Sequence, residues 1–248
     1  MTLELLICTI DEGVHKLKDH LLVPHEGVSY LVSWQYSGNQ PLVPEWLAER
    51  NDVRVVQLAG RGLSRNRNFA LEHAKGDILK ICDDDEQWTE AYFDNILTTY
   101  RQHPEYDIVQ FQAIGLDKTY PPLFISSIEL TIRRSSLGSI RFNERFGLGS
   151  NFLNAGEEEV FIHDARKQGL HIHYEPRPIC RTSGITTGHS ISDPRTLRSK
   201  GATLYYTRGM GYALYKSIRE SIGLAVRKHV NPLTLFCHML RGIQYIRS

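Results

Sequence analysis

A chain of 248 residues, 41% hydrophobic and 23% charged, is long enough for one large α/β domain or two small ones with a sizeable core. Its 29 Lys and Arg against 28 Asp and Glu leave a net charge of +1, which gives no whole-chain case for nucleic-acid binding. No stretch reaches the roughly 18 consecutive apolar residues of a membrane span, and "MTLELLICTI" lacks the basic start, long apolar core and small-residue cleavage site of a signal peptide.

In chain order, Leu3–Ile10 is a continuous apolar run rich in β-formers, as expected of a strand buried on both faces. Val28–Gly38 and Val53–Leu58 give two further strands. "GLSRNRNFALEHAKG" then predicts a helix with Ser64 as its N-cap and an end near Gly76. Ile78–Cys82 is the fourth strand, and Asp83, Asp84, Asp85 and Glu86 follow it directly. Strands alternating with helices predict a parallel sheet with helices on its faces, whose ligands bind beyond the carboxyl ends of the strands. Asp107–Ile114 reads as another strand, a helix is expected near Glu158–Lys167, and Leu170–Pro176 alternates into prolines like an edge strand. His171 and His173 on that strand lack further ligands nearby and read as an exposed face. "RTSGITTGHSISDP" is expected to be a loop.

Residues 208–248 hold seven of the basic residues and one acid, Glu220, for +6; the other 22 basic and 27 acidic groups make residues 1–207 net −5. Two helices are expected in this tail. One carries Tyr212, Tyr215, Ile218, Ile222 and Ala225 on a face; the other is capped by Asn231-Pro232 and carries Leu233, Phe236, Leu240 and Ile243. Apolar stripes with basic flanks suit peripheral contact with an anionic membrane, or equally two helices packed on the catalytic domain. The four cysteines (Cys8, Cys82, Cys180, Cys237) show no ligand spacing, and reduced thiols fit a cytoplasmic protein, peripheral on the inner face of the plasma membrane if the tail binds lipid.

Four adjacent acids repel one another, so a cation is the cheapest reason to place them at the end of a buried strand. Hard carboxylate oxygens on alternate positions, Asp83 and Asp85, suit Mg²⁺ or Mn²⁺ together with phosphate oxygens and water. The competing reading is a helix N-terminus that uses the acids to meet its dipole. Arg65, Asn66, Arg67 and Asn68 at the first turn of the preceding helix add cations where an anion already binds well, so acids and bases would bracket a diphosphate.

"RNFALEHAKGDILKICDDDEQW" resembles the central signature of the family 2 glycosyltransferases. Arg67-Asn68, Ala74-Lys75-Gly76 and Asp83-Asp84-Asp85 stand at the matching spacings, and Gly156-Glu157-Glu158 with Phe161 resembles the family's later Gly-Glu-Asp motif. The resemblance covers about residues 3–190. It implies an α/β chain with the GT-A (Rossmann-like) fold: a mostly parallel central sheet flanked by helices, here with a C-terminal helical extension. Residues 1–207 would be the catalytic domain (about 1–110 for the donor, 111–207 for the acceptor) and 208–248 a basic amphipathic tail.

The implied activity is inverting, metal-dependent transfer of a sugar from a nucleoside-diphosphate donor, UDP-linked by expectation. The acceptor hydroxyl would belong to a saccharide or lipid-linked saccharide in surface polysaccharide or glycoconjugate synthesis. Asp83 and Asp85 would bind Mn²⁺ or Mg²⁺; Glu158, or its neighbour Glu157, would be the general base. Thr9, Asp11, Gln35, Arg67, Asn68 and Asp84 fall at donor-contacting positions, and Arg181 or His189 near a diphosphate-contacting one. "SWQYSG" replaces the family's usual acidic motif after the second strand, so Ser33, Trp34 or Gln35 takes over its contact to the base or the nucleotide preference differs. The alternatives are a non-catalytic nucleotide-sugar or glycan binder and a sugar nucleotidyltransferase. The latter would want a Gly-rich loop that "CTIDEGVHK" does not supply.

Overall fold

The computed structural model describes residues 1–21, 24–116, 125–182 and 193–248. They form two compact units. One comprises Met1–Arg61, Arg65–Arg141 and Asp164–Ile185; the other comprises Gly62–Ser64, Phe142–His163 and Thr186–Ser248.

The first unit is built on one seven-stranded sheet: β1 (Leu3–Ile10), β2 (Val28–Tyr36), β3 (Val53–Ala59), β4 (Ile78–Asp83), β5 (Ile108–Ile114), β6 (Leu130–Arg133) and β7 (Ile172–Arg181), in the order β3-β2-β1-β4-β6-β5-β7. Neighbours among β1 to β4 are parallel, β7 is parallel to β5, and β6 alone runs against both β4 and β5. The expected mostly parallel sheet is therefore present. Leu3, Leu5, Leu6 and Ile7 of β1 are fully buried, as a central strand covered on both faces requires. Register sets Cys8 beside Asp83 and Ile10 beside Gln35, so the carboxyl ends of β1, β2 and β4 lie together.

Helices α1 (Glu45–Ala48), α2 (Leu63–His73) and α3 (Glu90–Gln102) accompany these strands, and α3 contributes Phe93, Ile96, Leu97 and Tyr100 to the core. Buried Glu4 of β1 accepts from the backbone N–H groups of Lys75 (2.5 Å) and Gly76 (2.8 Å), which fastens the chain just past α2. Three expectations need correction. Ser64 lies inside α2 instead of capping it, and its hydroxyl donates to the Phe146 carbonyl at 2.7 Å. The acids at 83–86 precede α3 by several residues, so they do not meet its dipole; its first turn holds Glu90. The edge strand continues past Pro176 and Pro178 to Arg181, because an edge position tolerates residues without an N–H.

In the second unit, Phe146, Leu153, Val160 and Ala202 form a small core. Helix α4 (Glu157–Lys167) begins there. Helix α5 (Pro194–Lys228) starts at Asp193, whose carboxylate accepts from the Thr196 N–H, and is broken at Gly209, where φ is 79° and ψ 174°. That conformation falls to glycine, and it reverses the chain. Lys200 pairs with Glu220 across the break, and Leu197, Leu224, Leu235 and Met239 share one cluster with helix α6 (Pro232–Arg247).

The tail is thus a pair of helices packed on residues 194–208. Ala213, Ser217, Ser221 and Leu224 face inward, opposite Leu235, Met239, Gly242 and Ile243. The expected stripe of α6 was displaced: Ile243 is buried, but Leu233 is 69% exposed while Leu235 and Met239 are buried. Close backbone approach decides this, since Gly201 lies against Met239 and Gly242 against Arg198. Among the described residues no helix is long and apolar enough to cross a membrane.

Candidate functional site

The acidic turn is reached by β4, whose last residue is Asp83. Its three aspartates are held differently. Asp83 accepts from the guanidinium of Arg67 at 3.4 Å; that guanidinium is buried and also donates to Ser127 Oγ at 2.6 Å. Asp84 accepts from Thr9 Oγ1 at 2.6 Å and from Lys16 Nζ at 3.0 Å, which turns it toward β1. Asp85 is exposed. Burial of its carboxyl, then the charges of Asp83 and Asp84, push it above the ordinary aspartate range against the opposing pull of Lys16. Lys16, on the 3-10 segment Asp11–Asp19 that follows β1, is correspondingly raised by its hydrogen bond to Asp84.

Asp11 adopts a left-handed φ of 49°, which Asp tolerates better than most residues. Its carboxylate accepts from the Ser37 N–H (2.7 Å), Ser37 Oγ (3.0 Å) and Arg61 (3.2 Å), while its carbonyl accepts from Trp34 Nε1 at 2.9 Å. Asn66 donates to the carbonyls of Thr9 (3.1 Å) and Ser33 (3.0 Å) and accepts from Ser33 Oγ at 2.6 Å. Ser33 and Trp34 are therefore committed to holding the ends of β1 and β2. Gln35, the third residue named for nucleotide contact, is different: it is 2% exposed, and its amide nitrogen has no partner among the described residues.

Beneath the turn lies a pair that sequence reasoning did not identify. Lys80 and Glu86, both fully buried, meet at 2.5 Å. Glu86 also accepts from the Asp83 N–H at 2.6 Å and Trp88 Nε1 at 3.2 Å, so it fixes the backbone that carries the aspartates. Burial pushes its carboxyl upward, and Lys80 opposes that shift. The signal was present in "ILKIC": a lysine in a strand buried on both faces demands an internal anion. Gly13 was also passed over, although it sits directly against Asp84 Oδ2 and Thr9 Oγ1.

Arg181 joins the turn through its backbone, exchanging N–H···O bonds with Gln87 at 2.9 Å in both directions. Asn68 is buried on α2, and His189 lies outside the described residues. Glu157 and Glu158 open α4 in the second unit, where the helix dipole favours carboxylates. Glu157 is 5% exposed with Gly147 against its carboxyl; Glu158 is partly exposed.

Whether these residues suit a divalent cation can be judged from the donor set. Among the described residues, no three His, Cys, Asp or Glu side chains converge to hold an ion alone. Two hard carboxylates on a turn with mutual repulsion do fit an ion that takes its remaining ligands from phosphate and water.

Residues 37–155 match the family described as Glycosyl transferase family 2. No curated protein matches the sequence. Among solved structures, the S. aureus TarS crystal structure superposes with a TM-score of 0.55 at 15% identity over 90% of this chain. This chain spans only 43% of that TarS chain. The mannosyltransferase PcManGT from Pyrobaculum calidifontis, in complex with GDP-Man and Mn²⁺, gives 0.55 at 13% identity over 99% of this chain and 86% of its own. Glucosyl-3-phosphoglycerate synthase from Mycobacterium tuberculosis, in complex with Mg²⁺ and UDP, gives 0.56 at 16% identity over 84% and 80%. The family match falls on the segment that carries the acidic turn, and the chain shares the GT-A fold of these solved structures.

Proposed function

We propose that the enzyme transfers a sugar, with inversion, from a nucleoside-diphosphate donor to an acceptor hydroxyl with the help of a divalent cation. The observation that carries this reading is the acidic turn at the carboxyl ends of β1 and β4, backed by buried Arg67 and flanked by Lys16. Asp83 and Asp85 would hold Mn²⁺ or Mg²⁺, which when bound supplies positive charge to a diphosphate. Arg67 orients Asp83, and the Thr9 and Lys16 contacts keep Asp84 turned toward β1. Arg181, whose backbone is anchored to Gln87, would supply a further cation for the diphosphate. Gln35 offers its unsatisfied amide to the nucleotide base; leaving such a donor buried and unpaired costs about 1–3 kcal/mol, which a ligand acceptor would recover.

Glu158 is assigned as the base. It is the more accessible of the two glutamates, while Glu157 is buried. Glu158 takes the proton of the acceptor hydroxyl as the oxygen bonds to the anomeric carbon from the face opposite the leaving group. The bond from that carbon to the diphosphate oxygen breaks with its electron pair leaving on the diphosphate. The structures of TarS with UDP-GlcNAc and of PcManGT with GDP-Man support a nucleotide-sugar donor, and UDP-linked is retained as the expectation. A saccharide or lipid-linked saccharide acceptor in surface polysaccharide or glycoconjugate synthesis completes the reading, with the chain acting in the cytoplasm.

The test is thermal stabilisation by UDP, GDP, CDP and dTDP, each with and without Mn²⁺, on the wild type and Asp85→Asn. A nucleotide at 100 times its Kd adds about 2.7 kcal/mol of stability. A shift with one nucleotide that requires both Mn²⁺ and Asp85 is expected. No shift with any of the four would remove the donor site from this turn.

A further inference from the structure

The second half of α5 is apolar on two opposite sides, and the fold uses only one of them. Ala213, Ser217, Ser221 and Leu224 are buried, with Ser221 Oγ reaching Met239 Sδ at 3.8 Å. On the outer side Tyr212, Tyr215, Ile218, Ile222 and Val226 recur every three or four residues and are all exposed, from 44% for Tyr212 to 72% for Val226. Five uncovered aromatic and branched side chains along about four turns are a patch that monomeric proteins seldom leave without a use.

Charge indicates what covers it. The one acid of the tail, Glu220, is paired with Lys200 and Lys216. Arg219 stays exposed within the arc of the stripe, Arg227 and Lys228 are exposed at the end of the helix, and the guanidinium of Arg208 lies 5.9 Å from the centroid of the Tyr212 ring. Residues 208–248 carry +6 in all. A second copy would bring an equally basic helix against this one, and like charges oppose that pairing. A surface that is anionic outside and apolar just beneath satisfies both features. Exposed tyrosines, with a polar end on an apolar ring, suit the boundary between the two.

We propose that the outer face of α5, from Arg208 to Lys228, is a docking surface for an anionic lipid bilayer, lying in the plane of the interface without crossing it. This is independent of the donor and of the chemistry at the acidic turn.

The test is co-sedimentation of the full chain with vesicles of phosphatidylcholine alone and of phosphatidylcholine mixed with phosphatidylglycerol. The variants are Ile222→Ser/Val226→Ser and Arg219→Glu/Arg227→Glu, with circular dichroism to confirm that each stays folded. Binding to the mixed vesicles is expected, weak binding to the neutral ones, and loss with added salt. The apolar pair should weaken partition at least about tenfold, and each cation lost about fivefold. Equal sedimentation of wild type and both variants, or no binding to phosphatidylglycerol vesicles, would overturn the proposal. So would a concentration-dependent dimer abolished by Ile222→Ser/Val226→Ser, which would give the stripe to a second copy.

Discussion

The acidic turn and the outer face of α5 are both arrangements that an isolated chain should avoid, and they are stabilised in opposite ways. At the turn, all the acids but Asp85 are met by the chain itself: Asp83 by Arg67, Asp84 by Thr9 and Lys16, and Glu86 by Lys80 and Trp88. On α5, Ile222 and Val226 are left 55% and 72% exposed, while the helix is fastened through its other side. The turn is therefore organised before any ligand arrives, whereas the helix face does nothing for the folded unit that carries it. Substitutions should separate the two: changes around the turn ought to cost stability or chemistry, and changes on the helix face neither.

The largest effect is expected from Glu158→Gln. Removing the base should lower kcat by about 10²–10⁴-fold while nucleotide binding, measured by thermal shift, stays unchanged. Glu157→Gln should act chiefly on stability, because Glu157 is buried with Gly147 against its carboxyl. If Glu157→Gln abolishes transfer in folded protein and Glu158→Gln does not, the assignment of the base is reversed.

Next comes the buried pair. Lys80→Met strands the Glu86 carboxylate in the core and should cost about 3–5 kcal/mol in urea unfolding. Adding Glu86→Gln removes the stranded charge yet keeps an oxygen for the Asp83 N–H, so the double variant should recover much of the loss. Additive costs in the double-mutant cycle would mean that the two groups do not act together.

This pair also marks how far the sequence could be read. The central strands were legible because Leu3–Ile10 and Ile78–Cys82 are unbroken apolar runs, and no other element buries such runs so simply. The acidic turn was legible because adjacent like charges are costly. Lys80 in such a run calls for an internal anion, but which one was not legible, since Glu86 is six residues on and reached only through a turn that sequence does not draw. The reversal at Gly209 was hidden for another reason. The sequence on either side of it is continuously helical in pattern, and a single glycine at φ 79° makes the difference between one helix and two. The inward face of α6 depends on where two backbones come closest, which no periodicity in α6 alone can specify.

A smaller effect is expected from Gly13→Ala. The added methyl would be driven into Asp84 Oδ2 and Thr9 Oγ1, two short side chains already bonded to each other. Overpacking of this kind costs about 1–3 kcal/mol, and the displaced Asp84 should weaken nucleotide binding as well. Unchanged melting and unchanged binding would show that the position of Asp84 is not sensitive to its neighbours on the β1 side.

The smallest effect belongs to the helix face. Ile222→Ser and Val226→Ser should each alter the urea midpoint by no more than about 0.5 kcal/mol in the absence of lipid, as substitutions away from buried contacts do. Helix propensity adds little, since serine and the branched residues it replaces lie close together on that scale. A loss of 2 kcal/mol or more, on the order expected for a buried aliphatic side chain, would mean that the stripe is covered in the folded protein. The contrast with the acidic turn would then vanish, because both regions would be satisfied from within. A near-zero change leaves five uncovered side chains whose retention folding does not explain, and the energy that justifies them has to come from outside the chain.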